Sequence, residues 1–522
     1  MVLESVLPEN EIPNISFSNY MIEMLKKDED SIAYVEAASN TKFTCAEVIE
    51  KVKQLASALT KSGLKKQEVV AVCIGNSVYY PVIILAVNAC NAIMSPCNPN
   101  YTESELVKQF KLCRPSYIIT DFNQMDKIQK VASQVKSVKE VFTLKKKHRF
   151  SKTTVVDMIK NDNGEDYNKD IQVNPEEDVA MLPYSSGTTG LPKGVMLTHK
   201  NCVTLNAMCQ IGPPETGVHC HVLPLFHAYG LLYMFLLIGE MPFVIMDRFR
   251  IREFCLAVEK YKITSLGGVP SVLTALSKST LVNEYDLSSL KFVSSGAAAL
   301  SPEVQKNTQD KMNVEVAQGW GLTECTVIAT SKIPGCPIGS VGLLMPHTKL
   351  KVVDPKTNKE LGPNKSGEIC VTGPQVMKGY FENPEKNLEA FDEQGWFRTG
   401  DIGYYTEEGF IFLVDRLKEL IKYKGFQVPP AELEGVIVAH EGVSDCGVVG
   451  VADFNCGELP RAYVVRRDES LTAEELHSYV NERVISYKRL RGGIKFVDKI
   501  PRNPTGKILR RELKVLANKS KL

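Results

Sequence analysis

Apolar positions along the chain follow three textures. Glu68 to Ile74 (EVVAVCI) is a short, nearly continuous apolar run, as expected of a strand buried on both faces, and Tyr80 to Asn91 reads as a helix packed beside it. Pro115 to Thr120 and Val138 to Thr143 read as further strands. The theme returns at 251–296: IREFCLAVEKYKI has helical spacing, ITSLGGVP reads as strand then turn, and LKFVSSG as strand then glycine loop. Such alternation predicts layered α/β structure with a largely parallel sheet. From about residue 340 the runs shorten. VGLLMPHTKLKVVDP, SGEICVTG and GFIFLVDR are short strands divided by Gly, Pro and Asn, which predicts a small antiparallel sheet or barrel. After Lys418 the texture changes again. AELEGVIVAH is helical, VSDCGVVGV and RAYVVRR are strands, and TAEELHSYVNERV is a helix opened by Thr472 with Glu475 three residues on. The expected organisation is α/β. A large N-terminal domain spans 1–416, with layered α/β subdomains and a small β-barrel-like subdomain at about 340–416. A small α+β domain follows at 417–522.

Two runs are apolar enough to suggest a membrane. Val78 to Met94 is interrupted by Pro81, Asn88 and Asn91, and Val222 to Met246 by His227, Gly230, Gly239 and Glu240. A charged residue such as Glu240 is costly inside a span, so both are expected to be buried segments with no transmembrane role. The length of 522 residues suggests two to four domains, and 44% hydrophobic with 24% charged residues is globular composition rather than disorder. Lys plus Arg (62) and Asp plus Glu (61) nearly cancel, so no general field draws nucleic acid or anionic lipid. The KKKHR run at 145–149 reads as a solvated turn. Fourteen cysteines stand singly, from Cys45 to Cys456, with no C-x-x-C pair, which argues against zinc-ribbon or thioredoxin chemistry and suits a reducing compartment. MVLESVLPENEIP lacks the basic start and apolar run of a signal peptide. Ser520-Lys521-Leu522 at a free C-terminus is a peroxisomal address, so a peroxisomal location and its import receptor as partner are expected.

The richest chemistry lies in Tyr184-Ser-Ser-Gly-Thr-Thr-Gly-Leu-Pro-Lys-Gly194, directly after the strand-like VAMLPY. Gly187, Gly190 and Gly194 let backbone approach a ligand. Ser185, Ser186, Thr188 and Thr189 add hydroxyls and N–H groups, and Lys193 adds a cation. Consecutive N–H donors with a lysine make a phosphate cradle. It is not a Walker A loop, because Lys193 follows Pro192. The His219–His221 pair has no clear third ligand and carries no metal prediction.

This loop resembles the signature of the adenylate-forming enzymes: acyl- and aryl-CoA synthetases, beetle luciferases and peptide-synthetase adenylation domains. The resemblance spans roughly residues 20–515, with several motifs in the family's order. YKGFQVPPAELE, PRNPTGKILRREL and the terminal SKL resemble the coumarate-CoA-ligase and luciferase-like branch. The resemblance implies that the loop closes over the ATP phosphates, with Thr188 linked to Mg²⁺ and Lys193 as loop lysine. Gln318-Gly-Trp-Gly-Leu-Thr-Glu324 resembles the motif that holds adenine. There Gln318, Gly319, Trp320 and Gly321 would meet the base, Thr323 the α-phosphate and Glu324 the metal. Trp320 stands where Tyr is usual. Trp396-Phe-Arg-Thr-Gly-Asp401 and Asp415-Arg416 resemble the ribose and phosphate contacts of Asp401 and Arg416. Lys418 falls at the family's hinge, which makes the small domain mobile. Lys422, Lys424 and Gly425 would face the CoA channel after that domain turns. Pro504-Thr-Gly-Lys507 resembles the catalytic-lysine segment, with Lys507 reaching the acyl carboxylate and α-phosphate.

Pro224-Leu-Phe-His-Ala-Tyr-Gly230 places His227 as the family's acid-side gate, and Ser294-Ser-Gly-Ala-Ala-Ala-Leu300 resembles one wall of the acid pocket. Tyr229, Leu232, Ser295, Gly296 and Ala297 are the expected lining. Such a pocket is apolar and suits a hydrophobic carboxylic acid. The resemblance implies two half-reactions: the acid and ATP give an acyl-adenylate and pyrophosphate, then CoA displaces AMP to give the thioester. Medium-to-long fatty acids are the expected substrates, with hydroxycinnamates such as 4-coumarate as the alternative. A luciferase-type monooxygenase shares the motifs. However, Met208 takes the place of the arginine that luciferin pockets carry. A non-enzymatic nucleotide-binding scaffold would have lost Thr188, Lys193, Glu324, Asp401, Arg416 and Lys507, all of which are present.

Overall fold

The apolar run at 68–74 becomes the strand Val69–Cys73, buried at every position, and the helix Tyr79–Ala89 covers it with an almost wholly buried surface. These elements belong to a computed structural model that describes residues 1–145, 153–185, 192–210, 216–236, 238–504 and 506–519. Among the described residues the strands form four sheets, of nine, eight, six and five strands. The first two carry the parallel pairings. Val69–Cys73 lies between Ile93–Pro96 and Tyr117–Thr120 in the eight-stranded sheet. Ser265–Gly268 lies between His219–His221 and Phe292–Ser295 in the nine-stranded one. One apolar cluster joins the two layers, with Val70 and Leu197 from one side and Tyr34 and Phe243 from the other.

The six-stranded sheet is antiparallel, and five of its strands lie between Lys349 and Arg416. It is open, and one edge is the strand Val2–Glu4, paired with Lys349–Val353. No local pattern announces that pairing, because three residues at the chain start carry too little periodicity. The second tempting apolar run resolves into the short helix Ala228–Tyr233 and the strand Phe243–Ile245. Among the described residues no helix is long and apolar enough to cross a membrane.

Beyond the strand Ile411–Arg416 the chain builds a five-stranded sheet with helices Pro430–Val438 and Ala473–Arg483. The Thr472 hydroxyl accepts the amide of Glu475, as its position predicts. This unit has its own core, including Val428, Leu433, Val448, Val464 and Leu476. Polar contacts dock it on the large domain. The ammonium of Lys278 donates to the carbonyls of Val438 (2.9 Å) and Val443 (2.6 Å), and Asp415 accepts the amide of Ala431 (2.9 Å).

Candidate active site

Parallel strands deliver their following loops to one edge of a sheet, where ligands bind. Phe292–Ser295 and Glu315–Trp320 run side by side, with Ser295 opposite Gln318. Their ends release Gly296–Ala297 and Gly321–Glu324 into a cavity of about 1070 Å³. Gln318, Gly319, Trp320, Gly321, Thr323 and Glu324 all line it, as the motif implied. Ser185 and Lys193 face it from the strands flanking the hydroxyl-rich loop. Arg416 and Lys418 face it from the domain junction, and Lys507 from the C-terminal domain. Ser186, Gly187, Thr188, Thr189 and Gly190 lie outside the described residues, as do Ser520 to Leu522 and the basic run from residue 146 onward.

Two carboxylates at the site, Glu324 and Asp401, each accept a hydrogen bond from an aromatic side chain. The Tyr380 hydroxyl donates to Glu324 Oε1 at 2.9 Å, and the Lys193 ammonium lies 4.4 Å above the Tyr380 ring. Burial pushes the Lys193 pKa down, while burial and the Glu324 charge push the Tyr380 hydroxyl well up. Asp401 stands just behind the cavity wall with its side chain 8% exposed. Its Oδ1 meets Arg416 Nε at 2.6 Å, and its Oδ2 accepts from Trp320 Nε1 at 3.0 Å. The exchange of Tyr for Trp at 320 therefore supplies an indole N–H to the carboxylate that the sequence assigns to ribose.

Lys507 enters on a turn that is braced twice. Arg502 forks onto Asp445 at 3.1 and 2.6 Å, and Gly506 takes φ +77°. A Cβ at Gly506 would stand 2.8 Å from Ser271 Oγ, so glycine lets the turn lie on the first turn of the helix Pro270–Lys278. Burial, and then the Arg416 charge, lower the Lys507 pKa. His227 caps the helix Ala228–Tyr233, its Nδ1 accepting the Tyr229 amide at 3.4 Å. Burial, with Lys507 adding, brings its pKa down to about 4. The ring is therefore neutral at pH 7, with its proton on Nε2.

Of the residues expected to line an acid pocket, Tyr229, Leu232, Gly296 and Ala297 line this cavity. Gly296 admits the Tyr229 ring, which a Cβ there would meet at 3.1 Å. Ser295 does not line it. Side chains alternate along a strand, so Ser294 faces the cavity and Ser295 is buried behind. Tyr233, absent from the sequence-based lining, stands edge-on to Tyr229 with ring centroids 5.4 Å apart, and its hydroxyl is 3.3 Å from Ser294 Oγ. Its position four residues after Tyr229, on the same helix face, was the available signal. Tyr380 had no such signal.

Lys422, Lys424 and Gly425 are exposed and lie away from the cavity. His219 and His221 are buried against Tyr233 and Phe243. Among the described residues no group of three His, Cys, Asp or Glu could cage a metal. One cavity carboxylate, Glu324, suits Mg²⁺, which keeps several waters and takes one or two carboxylates together with substrate phosphates.

Residues 23–381 match the family described as AMP-binding enzyme, and residues 432–507 match the AMP-binding enzyme C-terminal domain. The chain is 37% identical over 535 residues to 4-coumarate–CoA ligase 1 of Petroselinum crispum, covering 98% of this chain and 96% of that protein. It is 39% identical over 506 residues to luciferin 4-monooxygenase of Nipponoluciola cruciata, covering 94% and 92%. Among solved structures, ATP-bound MatB from Rhodopseudomonas palustris superposes with a TM-score of 0.86 at 27% identity, over 96% of this chain and 99% of that one.

Proposed function

The chain belongs to the AMP-binding enzyme family and is an AMP-forming acid–thiol ligase, and we propose that its acid is an aromatic, hydroxycinnamate-type carboxylate, activated with ATP and passed to coenzyme A. The observation that carries the choice of acid is the Tyr233 hydroxyl with Ser294 Oγ, 3.3 Å apart, in a wall that also carries the Tyr229 ring, Leu232 and the small residues Gly296 and Ala297. The fatty-acid expectation rested on an apolar pocket in which no polar residue was placed to meet a ring hydroxyl. A methylene chain would set hydrocarbon against this hydroxyl pair, whereas a ring hydroxyl would join it. The likeness to 4-coumarate–CoA ligases supports the same reading.

In this reading the substrate carboxylate attacks the α-phosphorus of ATP, a C–O–P anhydride forms, and pyrophosphate leaves with the electron pair of the broken bond. Two anionic partners must meet, so the cations facing the cavity matter most. Lys507 and Arg416 offset charge that develops at the α-phosphate, and Lys193 meets the departing phosphates. Neutral His227 adds no charge and offers its Nε2–H toward the acid. Mg²⁺ held by Glu324 would neutralise part of the triphosphate charge. In the second half-reaction the CoA thiolate attacks the acyl carbonyl and AMP leaves. The exposed Lys422–Gly425 hairpin then replaces Lys507 at the cavity after a turn near Lys418.

The test is kcat/KM for 4-coumarate, cinnamate, octanoate, palmitate and acetate, followed as CoA-dependent AMP release. 4-Coumarate should lead octanoate by about tenfold or more, and Tyr233→Phe should narrow the lead of 4-coumarate over cinnamate. Octanoate or palmitate in first place would overturn the aromatic assignment.

A further inference from the structure

Tyr380 is distant along the chain from Lys193 and Glu324, the two residues its side chain meets in the cavity. The strand Gly379–Tyr380 pairs with Val195 and Met196, two residues past Lys193, and the amide of Met377 donates to the Glu324 carbonyl at 2.8 Å. Asn387 clasps the Tyr380 backbone from the other side, accepting its amide at 2.6 Å and donating to its carbonyl at 3.2 Å. The ring is 6% exposed and has little freedom to move. One face carries the Lys193 ammonium and the hydroxyl holds Glu324 Oε1, while all three side chains line the cavity.

We propose that Tyr380 is a positioning residue that sets the cavity's phosphate-facing cation, Lys193, and its cation-facing carboxylate, Glu324, in one fixed relation. A triphosphate and its divalent ion are thereby bound as a unit. This rests on the ligase reading above. The ring locates the ammonium through its π face. The hydroxyl ties down one carboxylate oxygen and leaves Oε2 for an ion. The lowered Lys193 pKa agrees with an ammonium drawn out of water against an aromatic face.

The two roles separate by substitution. Tyr380→Phe keeps the ring and removes only the donor to Glu324. Tyr380→Leu removes both. The readout is binding of ATP and of AMP by calorimetry, with and without Mg²⁺. AMP lacks the β- and γ-phosphates, so its affinity should stay unchanged in both variants, which also shows that the site is folded. Tyr380→Phe should leave metal-free ATP affinity alone and weaken the gain that Mg²⁺ brings by about tenfold, the scale of a lost hydrogen bond to a charged group. Tyr380→Leu should in addition lower metal-free ATP affinity about threefold to fivefold. On a Glu324→Gln background Tyr380→Phe should add nothing. An unchanged Mg²⁺ gain in Tyr380→Phe, or AMP affinity falling in step with ATP, would overturn the positioning role while leaving the ligase reading intact. Failure of the unaltered protein to bind either nucleotide would overturn both.

Discussion

Two lysine-bearing turns of the C-terminal domain stand in opposite surroundings. The turn of Lys507 is pressed onto the large domain at Ser271, and its ammonium faces Arg416 and His227 in the cavity. The turn between Ile421–Tyr423 and Phe426–Val428 holds Lys422, Lys424 and Gly425 out in solvent. Both hang from one small sheet, so bringing the second turn to the cavity moves the first away. The contacts that hold the present arrangement include Lys278 on two carbonyls, Asp415 on the Ala431 amide, Arg467 on the Lys278 carbonyl, and Val438 packed against the large-domain core. Such a junction resembles a transient interface more than a core, and domain motion is the ordinary expectation there. In the proposed function each turn serves one half-reaction.

The largest effect that would break this contrast is at Lys507. Lys507→Ala should slow acyl-adenylate formation about 100-fold or more while thioester formation from preformed adenylate changes little. Equal losses in the two half-reactions, measured separately, would place both turns in the same step. Next is the chain between the domains. Lys418→Pro fixes φ near −65°, and thioester formation should fall roughly tenfold to thirtyfold with adenylation kept. Thioester formation at the full rate would mean that the pivot lies elsewhere. A smaller effect is expected at the latch. Lys278→Met keeps the stem but drops the donors to Val438 and Val443, so adenylation should fall about threefold and thioester formation hold or rise. A uniform fall would mark Lys278 as purely structural.

The smallest effect uses His227 as a reporter of which turn is present. Burial chiefly, and Lys507 in addition, hold its pKa at about 4. Lys507→Ala should therefore raise it toward the ordinary 6.5 without reaching it, as read from the ring resonances in an NMR titration. No movement would mean that Lys507 does not dwell beside the ring. The same depressed pKa has a stability sign. Between about 4 and 6.5 the unfolded chain binds more protons at this residue than the native one. The contribution is thus complete above pH 6.5 and is lost as pH falls through the window, which thermal melts at stepped pH should record.

Most of the site was readable where ligand-facing residues are consecutive. The strand and loop from Gln318 to Glu324 line the cavity almost without a gap, and glycine with small or polar residues at a strand end is a local signal. Along the wall at 294–297 the reading slipped by one position. Ser294 and Ser295 look alike in sequence, and only strand alternation with a known inward face separates them. Tyr233 could have been found from helical spacing. Tyr380 and Lys278 could not, because the residues they act on lie 56 positions or more away along the chain.

The residues alone determined the layered α/β class, the change of texture near 416 and the family, because these depend on local periodicity and on runs of adjacent side chains. Tertiary structure decided the rest. It put Tyr380 between Lys193 and Glu324, gave the cavity a polar stretch of wall at Tyr233 and Ser294, and turned Trp320 onto Asp401. It also decided that Lys507 faces the cavity while Lys424 faces water. Each of these is a pairing between distant segments. Such pairings follow from sheet register, from the docking of two domains and from where bulk excludes water, none of which any window of neighbouring residues contains.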